Sequence, residues 1–295
     1  MGLSGYAYGV MASLTIPDPE NAPPQARVAA QALLQWWQAM GVDQCVGDEA
    51  ENHLLIKKPV SKPHPQLAAV APTQPQSPKP KADTDLTEAT AKADTLAATA
   101  KDFDGLVEAI EAFDLCPLRT PATNTVVYRG NPKAKLMIIG EAPGFEENKR
   151  KQPFVGTSGQ LLDQMLAAIG LGEDDVLITN VVYWRPPSNR KPSPAEMAMC
   201  KPFVDQAIRL MAPKLIVLAG GAAATGVLGT DQGILSLRGR WQAWQDPRAG
   251  AADGSNLNAP IPVLPTLHPA FLLRQPLAKK KAWIDMLSLA ERLEG

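Results

Sequence analysis

Short apolar runs alternate with amphipathic stretches along the last two thirds of the chain. The runs are four or five residues long, continuous and rich in branched side chains, which is typical of strands buried on both faces of a sheet. Strands are therefore predicted at Leu136–Ile139, Val176–Thr179, Leu215–Ala219 and Val263–Leu267. Helices are predicted between and after them, at Gly159–Ile169, Ala195–Met211, Ala222–Leu228 and Leu277–Leu293. Because strands and helices alternate, we expect an α/β fold with three layers, α/β/α, around a central, mainly parallel four-stranded sheet.

The first part of the chain has a different pattern and is predicted to be a helical or disordered N-terminal extension. The stretch from Ala29 to Met40 predicts a short helix, whose Trp36 and Trp37 are available to pack on the main domain or on a partner. Residues 59–80 contain seven prolines, a composition typical of an extended tether without a core. A second helix is predicted from about Leu86 to Phe113. We therefore divide the chain into an extension with a short helix (1–58), a Pro-rich linker (59–83) and a main domain (84–295).

The net charge of −1 hides an asymmetry between the two parts of the chain. Residues 1–114 carry 8 Lys and Arg against 15 Asp and Glu, whereas residues 115–295 carry 21 against 15. A basic domain behind an acidic leader suits a polyanionic partner. Ordinary surface variation also explains a difference of this size, so charge alone does not decide the partner.

Cysteine count and hydropathy indicate the compartment. Three cysteines are too few for a disulfide framework. No basic-then-apolar signal opens the chain, and no apolar run approaches the roughly 18–20 residues that span a bilayer. We expect a soluble, cytoplasmic protein that does not contact a membrane.

A polar or glycine residue follows each predicted strand. These residues are Glu141, Asn180, the pair Gly220–Gly221, and His268, which is the only histidine of the main domain. In an open α/β sheet the carboxyl ends of the strands lie along one edge and form the ligand-binding crevice. Taken singly, each residue is explained as a turn or cap residue. Their joint occurrence at strand ends predicts that a carboxylate, an amide and an imidazole face one site.

Three ordered motifs carry a resemblance to a known family. The first is GEAPG at 140–144, followed by PFVG at 153–156 and GQLL at 159–162; the second is TNVV at 179–182; the third is HPAFLLR at 268–274. Together they resemble the uracil-DNA glycosylase superfamily, and its family 4 branch most closely, over roughly residues 113–294. The resemblance implies an enzyme that flips uracil out of DNA and hydrolyses its N-glycosidic bond by water attack, which initiates base excision repair.

The resemblance implies a role for each motif residue. Asn180 would recognise uracil, because its amide can accept from N3–H and donate to O4. Phe154 would stack on the flipped base. His268 would donate to the developing O2 anion, and Glu141 would orient water and favour the cationic sugar.

Two further positions of the first motif are predicted to contact the base. Some members of the superfamily have a water-activating Asp where this chain has Ala142, so Glu141 is the candidate here. Members that exclude thymine with a Tyr place it where Gly144 stands. Phe145 and the wall around Phe154 are candidates for taking over that exclusion.

DNA contacts are predicted on both sides of this site. A wedge formed by Leu272 and Leu273 would fill the vacated stack, with Arg274 on a phosphate; alternatively, the leucines begin the core face of the last helix. Gly221 follows a strand and either completes a tight turn or lies at a helix N-terminus that holds a phosphate. Arg190 belongs to a basic, Pro-rich loop, for which DNA binding and an ordinary surface loop are both open.

The chain departs from family 4 at the expected iron–sulfur ligands. Cys116 and Cys200 match two of the four cysteine positions, whereas Phe113 and Trp184 occupy the other two. Two thiolates cannot hold a four-iron cluster, and two aromatic side chains can fill the same volume. We therefore predict no cluster, no other metal and no cofactor, and a contact between Phe113 and Trp184.

We expect a monofunctional glycosylase that acts as a monomer, because no lysine falls in a motif as a Schiff-base nucleophile. A covalent-trapping member of the superfamily and a non-catalytic DNA-binding member are the alternatives. A nucleotide-binding oxidoreductase is disfavoured, since the glycines at 220–226 do not match G-x-G-x-x-G.

Overall fold

A twisted sheet of six strands forms the centre of the computed structural model, which describes residues 82–248 and 259–294. The strands are β1 (Tyr128–Gly130), β2 (Leu136–Gly140), β3 (Val176–Asn180), β4 (Leu215–Ala219), β5 (Gln242–Trp244) and β6 (Ile261–Thr266). Their spatial order is β1-β3-β2-β4-β6-β5. The four central strands are parallel and are the four predicted ones, whereas β1 and β5 add an antiparallel edge on either side. The predicted mainly parallel sheet is confirmed, with six strands instead of four.

Nine α-helices are present in the residues that the structure describes. They are α1 (Ala82–Thr99), α2 (Phe103–Ala112), α3 (Phe145–Arg150), α4 (Thr157–Ala167), α5 (Pro194–Met211), α6 (Gly221–Leu228), α7 (Ile234–Leu237), α8 (Pro269–Arg274) and α9 (Lys279–Glu294). Short 3₁₀ turns occur at Glu173–Asp175, Pro187–Asn189 and Pro276–Ala278. The single helix predicted from Leu86 to Phe113 is two helices, because Asp102 interrupts it. Its carboxylate accepts from the Gly105 amide at 2.8 Å and caps α2.

The two faces of the sheet bury separate hydrophobic clusters, as alternation along β2 requires. Met137 and Ile139 face the cluster that includes residues of α1, α2, α5 and α6, while Leu136 and Ile138 face the cluster that includes residues of α4 and α9. Helices therefore cover both faces, and the predicted three-layer architecture is confirmed.

Helix α1 packs through small side chains. Ala89, Ala93 and Ala97 are buried and recur at intervals of four residues, so they line one face of the helix, and Ala100, which directly follows the helix, is buried as well. Gln206 of α5 donates from Nε2 to the Ala100 carbonyl at 2.8 Å. These contacts make α1 part of the main domain.

The register of the sheet places the carboxyl ends of the four parallel strands level with one another. Gly140 at the end of β2 pairs with Asn180 at the end of β3, and Ala219 of β4 pairs with Thr266 of β6. The residues that follow these strands consequently emerge at one edge of the sheet, as predicted for this type of fold.

Several sequence-based predictions fall outside the described residues. They concern the Ala29–Met40 helix with Trp36 and Trp37, and the Pro-rich segment 59–80. The division into extension, linker and main domain therefore stays a prediction. None of the described helices combines the length and apolarity that a membrane crossing needs.

Candidate active site

A cleft of about 660 Å³ opens at the carboxyl edge of the sheet. Its size lies in the range typical of sites for small organic groups. It is built by the segments that follow β2, β3, β4 and β6. The predicted site residues that line it are Glu141, Ala142, Gly144, Phe154, Arg190, Gly221, His268 and Arg274.

Asn180 is buried beside this cleft with an unsatisfied side chain. It is 1% exposed, and neither its Oδ1 nor its Nδ2 has a hydrogen-bond partner. A methyl group placed on Gly140 would lie 2.5 Å from Asn180 Oδ1 and 2.4 Å from atoms of the Phe154 ring. Glycine at position 140 therefore lets the amide and the ring approach the same strand end. Because an unpaired buried amide is costly in free energy, this arrangement points to a ligand that pairs with it.

Phe154 has a left-handed backbone conformation, with a φ of 54°. This region is costly for a bulky residue and persists only where the surroundings impose it. On one side of the residue, Arg129 donates from Nε to the Pro153 carbonyl at 2.9 Å and from Nη2 to the Phe154 carbonyl at 3.3 Å. On the other side, Glu147 Oε1 accepts from the amides of Val155 and Gly156, at 3.0 and 2.8 Å. A cation thus binds the carbonyls and an anion binds the amides of a single turn.

Both charged residues are themselves anchored. Arg129, in β1, is 8% exposed and pairs with Asp163 of α4 at 2.5 Å. Glu147, in α3, also accepts from the Gly144 amide through Oε2 at 3.1 Å, so it joins the first-motif loop to the Phe154 turn. Gly159 is required in α4 because a methyl group there would lie 1.8 Å from the Phe154 carbonyl oxygen.

Sequence reasoning missed this arrangement. Arg129 belongs to no motif, and the only signal is a charged residue that directly follows the apolar and aromatic run Val126–Tyr128. Glu147 lies between the GEAPG motif and Phe154 in the sequence, and its part in holding Phe154 depends on the folded geometry.

His268 is held in a defined tautomer at the start of α8. Its Nδ1 accepts from the Ala270 amide at 3.1 Å, so in the neutral ring the proton lies on Nε2. Burial, and secondarily the nearby Arg274 cation, lowers the pKa of His268 from 6.5 to about 4. Its ring stacks against Phe154, with centroids 5.5 Å apart and planes inclined by 26°. The imidazole is therefore a neutral hydrogen-bond donor at physiological pH.

Glu141 follows β2 directly and lines the cleft. Burial raises the pKa of its carboxyl above 4.5, while the positive charges of Lys191 and Arg274 oppose that rise. The carboxyl group is thus partly desolvated and lies among basic side chains. Such a group suits proton transfer or stabilisation of positive charge.

The predicted DNA-contacting leucines have different environments. Leu272 is 1% exposed and packs with Leu267 and Ala282, whereas Leu273 is 41% exposed. Helix α8 turns the Leu272 side chain inward, where it is part of the core. The prediction that Leu272 belongs to the wedge is therefore wrong. Leu273 keeps the exposure that a wedge requires.

The basic loop and the glycine pair also take defined positions. Arg190 binds Glu196 of α5 through two hydrogen bonds of 2.6 and 2.8 Å, which hold its loop against the helix. Gly220 has a φ of 99°, which glycine adopts without strain, and Gly221 begins α6 at the cleft. The tight turn is confirmed, and phosphate binding at Gly221 stays a prediction.

Phe145 does not form part of the cleft wall. It is 56% exposed and is not among the lining residues. The space beside Gly144 is instead occupied by Glu147, whose Oε2 would lie 2.6 Å from a methyl group on Gly144. The candidate role of Phe145 in excluding thymine therefore has no support in this geometry.

The four family positions for an iron–sulfur cluster lie in one buried region. The thiols of Cys116 and Cys200 are hydrogen-bonded to each other, which lowers the pKa of Cys116 and raises that of Cys200. The rings of Phe113 and Trp184 lie 6.4 Å apart, so the predicted contact is confirmed. Trp184 is anchored by a 3.2 Å hydrogen bond from Nε1 to Thr125.

These side chains do not fit a four-iron cluster. A cubane needs four thiolate ligands, and two of the four positions carry aromatic rings that are fully buried in the core. Within residues 82–248 and 259–294, no group of three or more His, Cys, Asp or Glu side chains is placed to hold a metal ion.

Comparison with known proteins matches this domain to one family. The model of the uracil DNA glycosylase superfamily matches residues 127–287. A type-4 uracil-DNA glycosylase of Pyrobaculum aerophilum is 36% identical over 186 residues, which are 63% of this chain and 91% of that protein. Type-4 uracil-DNA glycosylases of Sulfurisphaera tokodaii (39% identical; 60% of this chain, 78% of that protein) and Thermotoga maritima (37%; 57% and 81%) are also similar.

Proposed function

Because this chain belongs to the uracil DNA glycosylase superfamily, we propose that it hydrolyses the N-glycosidic bond of uracil in DNA and so initiates base excision repair. The observation that carries the proposal is the unpaired, buried amide of Asn180 next to Phe154. In this proposal uracil supplies the missing partners, since N3–H pairs with Oδ1 and O4 with Nδ2. Cytosine presents the opposite pattern at these two positions and leaves both amide atoms unsatisfied.

The flipped base would be held between the amide and the aromatic ring. Unstacking costs free energy, and a stacking partner recovers part of it. Phe154 supplies that partner. Arg129 and Glu147 hold its backbone in place already in the absence of DNA. A rigid ring loses little entropy on binding, so it favours the flipped state.

His268 and Glu141 would act on the two charges that develop as the bond breaks. Negative charge grows on uracil O2, where the Nε2–H of neutral His268 donates a hydrogen bond. Positive charge grows on the sugar, where the Glu141 carboxylate orients the attacking water and stabilises the cation. Neither step needs a metal or a covalent intermediate.

The surrounding DNA contacts extend this proposal. Leu273 enters the gap left by the base, Arg274 and Arg190 bind phosphates, and Gly221 offers a backbone amide at the start of α6. We also include in the proposal a monomeric, cytoplasmic enzyme that acts by hydrolysis alone. Lys191 lines the cleft and carries an amine that could attack the sugar, so hydrolysis without a covalent intermediate needs a direct test.

The test is incubation of the full-length protein with single- and double-stranded oligonucleotides that contain one uracil, followed by alkali. We expect strand cleavage at uracil only. Asn180→Asp should lose most activity on uracil, because a carboxylate meets O4 where a donor is needed. Gln164→Glu, the same change of an amide to a carboxylate at an exposed residue of α4 that does not line the cleft, is the matched control and should behave as the wild type.

Two alternatives give different results in the same assay. A non-catalytic DNA-binding protein would leave the strand intact, and a covalent-trapping protein would leave an adduct that survives denaturing electrophoresis. Sodium borohydride added during the reaction would trap a Schiff base if Lys191 acted as a nucleophile. Water attack predicts no trapped species.

A further inference from the structure

An exposed aromatic side chain lies next to the cleft and has no role in the chemistry described above. Phe145 is the first residue of α3 and follows Gly144, which lines the cleft. It is 56% exposed, although large aromatic side chains are usually buried. The fold does not need it as a core residue, and it is not part of the cleft wall.

A guanidinium group covers this ring. The Arg185 Cζ lies 5.3 Å from the centroid of the Phe145 ring, within the range of a cation–π interaction. Arg185 precedes Pro186, which also lines the cleft. The Phe145–Arg185 pair therefore connects the segment that follows β2 with the loop at 185–191, at the rim of the cleft.

Arg185 is held in place without a carboxylate partner. Its Nε donates to Asn189 Oδ1 at 2.7 Å, and Ser188 and Asn189 both have left-handed backbones, with φ of 54° and 52°. In the part of the chain that the structure describes, no salt bridge to Arg185 is formed. A positioned guanidinium whose charge is not neutralised suits an anionic ligand.

We propose that Phe145 and Arg185 form a binding site for the nucleotide next to the flipped uracil, an inference that rests on the proposed function. The flanking base stacks on the Phe145 ring, and Arg185 moves from the ring to the flanking phosphate. Flipping deprives the neighbouring base of its stacking partner, and an exposed aromatic face at the rim replaces that partner. The combination of an aromatic platform with a cation is the one that single-stranded nucleic acid requires.

The first experiment measures binding without turnover. Fluorescence anisotropy is recorded with single-stranded oligonucleotides that contain 2′-fluoro-2′-deoxyuridine, whose glycosidic bond resists cleavage. We expect Phe145→Leu to bind about tenfold more weakly and Phe145→Trp to bind as tightly as the wild type. Trp283→Leu, which removes an exposed aromatic ring of α9, is the matched control and should bind as the wild type does.

The second experiment identifies the partner of the ring. The base on the 5′ side or the 3′ side of the uracil is replaced by a tetrahydrofuran abasic residue. On one of the two sides, we expect the wild type to lose about tenfold in affinity and Phe145→Leu to lose no more than twofold, because the contact is already absent. Equal losses for both proteins on both sides would overturn the proposal, as would unchanged binding by Phe145→Leu.

Arg185 has its own prediction. Replacement by Gln should reduce the slope of log K against log salt concentration by about 0.7, the value for one phosphate contact to a single strand. An unchanged slope would remove Arg185 from the site and overturn its part of the proposal. Because these measurements need no cleavage, failure of the platform and failure of the glycosylase reaction are distinguishable.

Discussion

Among single residues, Glu141 has the protonation state most open to experiment. Burial raises the pKa of its carboxyl above 4.5, and the ionised form is the one that acts in the proposed reaction. The single-turnover rate should therefore rise with pH through that pKa and level off above it. Glu141→Gln should lower the plateau by about 10²-fold and abolish the acid limb, while affinity for uracil-containing DNA stays nearly intact.

The measurement is the rate of uracil release between pH 4.5 and pH 8 for both proteins. Because the pKa of His268, about 4, lies close to the lower end of this range, the comparison with Glu141→Gln is what assigns the acid limb to Glu141. If Glu141→Gln keeps the same acid limb, the titrating group is another residue and the assignment of Glu141 fails.

Arg129 is predicted to act on the reaction through Phe154. Arg129→Met removes the hydrogen bonds to the Pro153 and Phe154 carbonyls. Only the hydrogen bonds to Glu147 then hold the left-handed turn. We expect the single-turnover rate on uracil to fall by at least about tenfold, while binding to uracil-free DNA is unchanged. Arg129→Lys, which keeps the cation, should restore part of the rate.

A control separates positioning from general destabilisation. Arg150→Met removes an exposed arginine of α3 with a single 3.7 Å ion pair and should keep the wild-type rate. If Arg129→Met lowers the unfolding temperature but leaves the rate intact, Arg129 is only structural.

The motifs predicted most of the site because Glu141, Asn180 and His268 lie at or close to the carboxyl ends of strands. Glu141, Phe154, Asn180 and His268 were assigned from the sequence, and the fold brings all four to one edge of the sheet. The hydrogen bonds that hold the Phe154 turn could not be predicted, since they come in part from Arg129, which lies in the edge strand β1 and precedes the motifs. Leu272 and Leu273 are adjacent in sequence, and only the docking of α8 decides which of them is buried.

At the scale of elements, the histidine cap of α8 links helix stability to pH. The folded pKa of His268, about 4, lies below the unfolded value of 6.5. The unfolded chain therefore binds more protons between these values, so this contribution is complete above pH 6.5 and decreases as the pH falls towards 4. The protonated ring also loses the Nδ1 lone pair that accepts from Ala270.

We expect His268→Asn to lose less stability on acidification than the wild type. Asparagine is a good helix cap but does not titrate. Thermal unfolding at pH 7, 6 and 5 gives the comparison, and the other two histidines of the chain contribute equally to both proteins. Parallel loss of stability in the two proteins would contradict the buried, neutral state of His268.

The elements that sequence analysis missed are the short ones. Strands β1 and β5 have three residues each, and their pairing with β3 and β6 is set by the partner strand and not by their own pattern. The break between α1 and α2 was also missed. Asp102 caps α2 only in the folded backbone conformation, which the sequence pattern does not reveal. The four buried strands were predictable, since burial on both faces requires continuous apolar runs.

For the whole molecule, the prediction with the widest consequence concerns metal content. Protein purified without oxygen should be colourless and contain no stoichiometric iron, and chelators should not reduce its activity. The physical reason is that Phe113 and Trp184 occupy two of the four ligand positions. Iron at one cluster per chain, lost together with activity in a Cys116→Ser, Cys200→Ser double variant, would overturn the prediction.

The N-terminal extension is predicted to be dispensable for chemistry. Deletion of residues 1–80 keeps α1, whose alanine face packs on the main domain, and keeps every residue that lines the cleft. We expect a folded protein that releases uracil at the wild-type rate. A variant that fails to unfold cooperatively would show that the removed segment completes the core.

The packing of Phe113 against Trp184 also bears on how the active protein is made. An inorganic cluster has to be assembled elsewhere and delivered to each newly synthesised chain, whereas an aromatic pair is present as soon as translation ends. If the protein binds no cluster, as we predict, its maturation reduces to folding, and the amount of active enzyme in a cell follows its synthesis even when iron is scarce.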